Sequence, residues 1–217
     1  MVRVGLVLGV LFSFLLIGPA VSDASVITFT LGDRDGLGFG LVPGQQVPFT
    51  PFDNRGPGDP AFTDFGVSGE TNAWFSFIYT PILGTINSAN LEFGLMGIED
   101  ERNDSAQPDW DDRLFLDNVE IPGAFDTAYT GVLTYGIVYQ GIPSNLFGLL
   151  ADGTANFFFD GWPYGTSPTV RRGDQVSFDY VTMTIDYTSA PRLPAPATLI
   201  LAVLGTAAIV VVKRLAV

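Results

Sequence analysis

The residues of this chain that could do chemistry are carboxylates, and they are crowded. Glu99, Asp100, Glu101, Asp104, Asp109, Asp111, Asp112 and Asp117 place eight acids within 19 positions. Charges this dense repel one another unless water or a cation offsets them, and Ca²⁺ is the exported ion that takes several oxygen ligands. A second acidic turn, Asp33-Arg34-Asp35-Gly36, has the Asp-x-Asp-Gly opening of a calcium loop. Its EF-hand spacing fails, because Leu37 stands where a further ligand belongs. The expected ligands of a Ca²⁺ site are therefore Asp100, Asp109 and Asp111, with Asp33 and Asp35 joining from the first turn. The competing reading is a solvated acidic loop, the usual fate of a charge cluster.

Aromatic residues form the second constellation. Trp110, Trp162 and Tyr164 stand in loop sequence, the last two within Asp160-Gly161-Trp162-Pro163-Tyr164-Gly165. Exposed Trp and Tyr faces stack on sugar rings while neighbouring acids and amides take the hydroxyls, so these three are the expected glycan-binding residues. Core packing is the alternative for each. Trp74 falls within strand alternation and is expected in the core. The chain has no histidine and no cysteine. That removes Ser-His-Asp and Cys-His catalysis, ordinary zinc sites and disulfide staples together. Glu92, Glu99, Glu101 and Glu120 are acids of the type a glycosidase needs in a pair, but their spacing selects no pair, and no catalytic residue is assigned.

The elements that must position these groups read as strands. Ile27, Phe29 and Leu31 share a face, as do Phe75, Phe77 and Tyr79. Ala89, Leu91, Phe93 and Leu95 alternate with an outward Glu92, and Val181, Met183, Ile185 and Tyr187 repeat the pattern in the last run. Leu133, Tyr135, Ile137 and Tyr139 form another face. Asp117-Asn118 between Leu114–Leu116 and Val119–Ile121 predicts a hairpin. Ser144 to Ala151 is the one helical segment expected, with Ser144 as its N-cap. The Pro- and Gly-rich stretch from Pro43 to Gly69 is expected to be a surface excursion packing through Phe49, Phe52, Phe62 and Phe65. About eight short strands with one helical turn predict an all-β domain, a single β-sandwich of jelly-roll type.

The ends set the compartment. Arg3, the apolar run Val4 to Ile17 and the small residues Ala20-Val21-Ser22 have the layout of a signal peptide over 1–22. Residues 23–188 form the expected extracytoplasmic β-sandwich domain, and 189–196 form a linker. The uncharged run Ala197 to Val212, followed by Lys213-Arg214, is expected to be a transmembrane helix with its basic end in the cytoplasm, so that 197–217 is a membrane tail. Between the apolar runs lie all 23 acidic residues and seven of the ten basic ones, a formal charge of −16. A segment so acidic is not a nucleic-acid binder.

Leu193-Pro194-Ala195-Pro196-Ala197-Thr198, the apolar run and Lys213-Arg214 together resemble the PEP-CTERM sorting tail over about the last 25 residues. The sorting motif is Pro194, Ala195 and Pro196, with alanine where that family has glutamate and a basic end shorter than the family's Arg-rich one. The resemblance implies an exosortase-type membrane protease as processing partner, transient inner-membrane anchoring, and a producing bacterium that makes exopolysaccharide. The function expected on these grounds is a non-enzymatic cell-surface or extracellular-matrix protein that associates with exopolysaccharide or other glycans. The alternatives are a carbohydrate-active hydrolase using two carboxylates and a coat protein without a soluble ligand.

Overall fold

The computed structural model describes residues 22–49, 51–66, 72–98, 112–126, 130, 133–161 and 176–191. Within them the strands are β1 (Ala24–Gly32), β2 (Phe52–Asp53), β3 (Phe65–Gly66), β4 (Asn72–Ile78), β5 (Gly84–Met96), β6 (Arg113–Leu116), β7 (Val119–Glu120), β8 (Tyr135–Gly141), β9 (Thr154–Asp160) and β10 (Ser177–Ser189). A π-type turn, Gly36–Gly40, follows β1, and a 3₁₀ helix, Ser144–Leu150, joins β8 to β9. One four-stranded sheet runs β1-β10-β5-β8 and another β4-β9-β6-β7, while β2 and β3 pair as a small ribbon. The pairings are antiparallel, and the chain is all-β. Residues 24–188 form one compact unit. Among the described residues no helix is long and apolar enough to cross a membrane. The signal-peptide segment up to Val21 and the tail from Arg192 onward lie outside the described residues.

The period-two patterns build the main core. Leu91, Phe93 and Leu95 from β5 and Val181, Met183 and Ile185 from β10 are buried together with Phe75 and Phe77 from β4 and Phe157 and Phe159 from β9. Rings line the contact between the two sheets: Phe75 stacks on Phe157 of its own sheet at 5.1 Å and meets Phe93 of the other edge-on at 6.2 Å. Each such ring contributes roughly 1.5–3 kcal/mol by burial. Ile27, Phe29, Leu31 and Tyr79 pack against this core as their alternation predicts. Glu92 faces outward, accepting from the Tyr180 hydroxyl at 2.7 Å and pairing with Arg34 at 2.9 Å. The hairpin β6–β7 turns through Asp117 and Asn118 at φ 47° and 66°, the left-handed pair that a two-residue turn requires.

A second, smaller cluster covers the outer face of the first sheet, where Met96 pairs with Tyr135. Leu37 and Phe39 from the π-type turn, Leu41, Val47 and Phe52 complete it. Within the described part of the stretch 43–69, Phe52 of the ribbon enters this cluster and Phe62, between the ribbon strands, packs on the main core. The Leu133-Tyr135-Ile137-Tyr139 face is the outward one, since Val138 points into the main core.

Two expectations are corrected. Trp74 is not a core residue; it is 67% exposed on the outer side of β4, because its buried neighbours Ala73 and Phe75 fix the opposite parity. Ser144 lies inside the 3₁₀ helix, and its N-cap is Pro143 at an extended φ/ψ, without a side-chain cap.

Candidate functional site

The two acidic residues of the first turn are brought to a point by glycine. β1 ends at Gly32 with φ +79°, and a β-carbon there would collide with the Asp179 carbonyl oxygen and lie 2.7 Å from Thr63 Cγ2. Only glycine lets the strand end so close to both chains. Asp33 and Asp35 follow, and the Asp35 carboxylate accepts from the Gly38 amide at 2.6 Å, fixing the π-type turn. Asp64 arrives from the ribbon in a left-handed conformation, φ 51°. Its amide donates to the Phe178 carbonyl at 2.7 Å, and its carbonyl accepts from the Asn54 amide at 2.9 Å. Asn54 Nδ2 in turn donates to the Leu37 carbonyl at 3.0 Å. Asp179 comes from the start of β10. Three remote segments thereby place one carboxylate oxygen each from Asp33, Asp35, Asp64 and Asp179 within 4.8 Å of one another.

The four acids differ in how they are supported. Asp179 is buried but well supplied, accepting from the Gly36 amide at 3.2 Å, the Leu37 amide at 3.0 Å and the Tyr135 hydroxyl at 2.6 Å. Burial pushes its carboxyl above the usual range while those three bonds pull it back. Asp64 has no such support. It is 1% exposed, and its Oδ1 meets no hydrogen-bond donor among the described residues. Burial, reinforced by Asp35, Asp179, Asp33 and Asp59, pushes its pKa up to about 8. Desolvation and then Asp35 raise Asp33 as well. Arg34, in the same turn, pairs with Glu92 and lies over the Tyr180 ring at 4.5 Å. Four carboxylates, one of them buried with an unpartnered oxygen, at a point supported by amides and a phenol, suit a cation with oxygen preference.

A different face of the unit carries aromatic rings. Trp74, Phe158 and Phe115 stand side by side across β4, β9 and β6, with Glu120 of β7 at the end of the row. The Trp74 and Phe158 rings stack at 4.7 Å, Phe158 meets Phe115 at 5.7 Å, and the Arg113 guanidinium lies over Phe115 at 5.3 Å. Beside this row runs a polar one, in which the Ser76 hydroxyl donates to Asn156 at 2.8 Å and Asn156 Nδ2 donates to Asp117 at 2.8 Å. Elsewhere a cleft of 490 Å³ opens beside β8 among Phe125, Thr130, Tyr135, Tyr139 and Gln140, with no carboxylate among the described residues of its lining.

Of the sequence-predicted ligands, Asp33 and Asp35 come together, joined by Asp64 and Asp179. Asp100, Asp109 and Asp111 lie outside the described residues, as do Trp110, Trp162, Tyr164, Pro194, Ala195 and Pro196. Asp64 and Asp179 were missed because each is a lone acid among apolar residues, and the only signal was their presence in runs that otherwise read as buried. No protein-family model matches the chain, and no curated protein matches it significantly.

Proposed function

We propose that the chain is an exported, non-enzymatic protein of the bacterial cell surface or extracellular matrix that associates with neutral glycans. In this reading its domain, residues 23–188, is a jelly-roll-like β-sandwich between a signal peptide and a transmembrane tail processed by an exosortase-type protease. The strand order supports the jelly-roll reading: setting the β2–β3 ribbon aside, eight strands divide as β1-β10-β5-β8 and β4-β9-β6-β7, and every link between successive strands except β6 to β7 passes from one sheet to the other. The apolar ends and the Pro194-Ala195-Pro196 tail support export and sorting.

The observation that carries glycan association is the Trp74–Phe158–Phe115 row. Trp74, 67% exposed on the outer side of its sheet, stacked on a neighbouring ring and accompanied by the polar row of Ser76, Asn156 and Asp117, offers apolar faces to sugar rings and polar groups to their hydroxyls. A formal charge of −16 between the apolar ends disfavours anionic polymers, which leaves uncharged polysaccharide as the matching chemistry. The test is electrophoresis of the protein through native gels containing neutral polysaccharides from the producing organism. Retardation that is lost in Trp74→Ala supports the reading; equal retardation of variant and parent, or none for the parent, sinks it.

A further inference from the structure

We propose that Asp33, Asp35, Asp64 and Asp179 together hold one Ca²⁺ ion that ties the turn after β1 to the β2–β3 ribbon and to β10. The geometry is of the right size. Oxygens bound to a calcium ion lie on a sphere of about 2.4 Å radius, so no two can be more than about 4.8 Å apart. One oxygen from each of these four side chains meets that bound. Magnesium, which demands a near-ideal octahedron and keeps several of its waters, is the poorer match for four protein carboxylates on one ion.

A cluster of acids often means only a solvated surface, and Asp33 and Asp35 are indeed exposed. Asp64 separates this cluster from that case. The residue is 1% exposed with Oδ1 unpartnered among the described residues, and Asp35, Asp179, Asp33 and Asp59 all bear on it, so a buried oxygen here lacks the donor or cation it needs. Its backbone is committed as well: the left-handed Asp64 is clamped by the Phe178 carbonyl and the Asn54 amide, so the side chain is held at the cluster. Asp179 is pre-oriented by two amides and the Tyr135 hydroxyl, as ligating carboxylates are in built sites. The site is proposed on these four described carboxylates, while Asp100, Asp109 and Asp111 of the denser acidic run lie outside the described residues.

The test uses the full chain purified in mild detergent and stripped with chelator. Thermal midpoints are compared in about 5 mM CaCl₂, in MgCl₂ and in NaCl of matched ionic strength, and calcium uptake is measured by equilibrium dialysis. A site in the range of extracellular modules, with a dissociation constant on the order of 10⁻⁴ to 10⁻³ M, raises the midpoint by about 2–8 °C in CaCl₂ beyond NaCl. The exposed pair Asp33→Asn with Asp35→Asn can be changed without disturbing burial, and it is expected to weaken uptake at least tenfold. Asp64→Asn is expected to keep an ion-free midpoint no lower than the parent's while losing the calcium shift. A purely structural role for Asp64 would not give that split. A triple Asn variant at Asp100, Asp109 and Asp111 is expected to retain the shift. The site is overturned if calcium acts no differently from matched NaCl or from MgCl₂, if the Asp33/Asp35 double variant binds as tightly as the parent, or if the triple variant alone abolishes binding.

Discussion

The Tyr135 hydroxyl donates to the Asp179 carboxylate at 2.6 Å, and through that bond the outer hydrophobic cluster and the acidic cluster share one buried polar contact. Burial raises the Tyr135 pKa, with the Asp179 bond and charge adding to it, so the phenol stays the donor. Tyr135→Phe keeps the ring against Met96 and Leu37 and removes only the donor. It is expected to lower stability by about 1–2 kcal/mol in urea titration. An unchanged midpoint would show that the Gly36 and Leu37 amides alone suffice for Asp179.

Gly32 and Gly44 both adopt left-handed backbone, at φ +79° and +91°, but they differ in surroundings. A β-carbon at Gly44 meets nothing within 4 Å, whereas at Gly32 it runs into the Asp179 carbonyl and Thr63. Gly44→Ala is expected to cost about 1–2 kcal/mol, the backbone contribution alone. Gly32→Ala should exceed it by at least about 1 kcal/mol, since main chain cannot give way as a side chain does. Equal unfolding midpoints for the two variants would refute the close approach of β1 to β10.

Phe93 and Glu92 are adjacent in sequence and opposite in consequence. Phe93→Ala empties a fully buried site among aromatic rings and is expected to cost roughly 3–5 kcal/mol. Glu92→Gln leaves a group that can still accept from Tyr180 and weakens only an ion pair whose Arg34 partner is 54% exposed, so it should cost less than about 1 kcal/mol. Denaturant midpoints of the two variants check this directly, and similar losses would mean the face of β5 is misassigned.

Protein recovered from its native envelope should have lost the segment up to about Ser22 and the residues beyond the Pro194–Pro196 motif. Intact-mass spectrometry reads both ends at once. A mass that still includes Ala197 to Val217 would reduce the sorting tail to a plain membrane anchor.

The sheets were legible because alternation is a local property: Leu91, Phe93 and Leu95 announce their face by parity alone, as do Val181, Met183 and Ile185. The same rule read properly would have put Trp74 outside, opposite Ala73 and Phe75; its size drew it inward instead. The acidic site was half legible. Asp33 and Asp35 are neighbours in a turn, so their spacing could be seen, but Asp64 and Asp179 join them through the packing of remote segments, which no local pattern records. Extending the alternation of Val181 backwards would even put Asp179 in the core. It escapes because Phe178 and Val181 both pack inward, and the period breaks between them.

Among the described residues β1 lies at the edge of its sheet with β10 as its one neighbour there, Ala24 opposite Thr188 and Gly32 opposite Tyr180. The first strand made is therefore matched to the last. A chain delivered N-terminus first, whether from a ribosome or through a membrane pore, cannot complete this sheet until the segment ending near Ser189 has emerged. Closing so large a loop is slow compared with local hairpins, so β1 stays unpaired in its sheet while β5–β8 and β6–β7 can already form, and this edge of the sheet closes last.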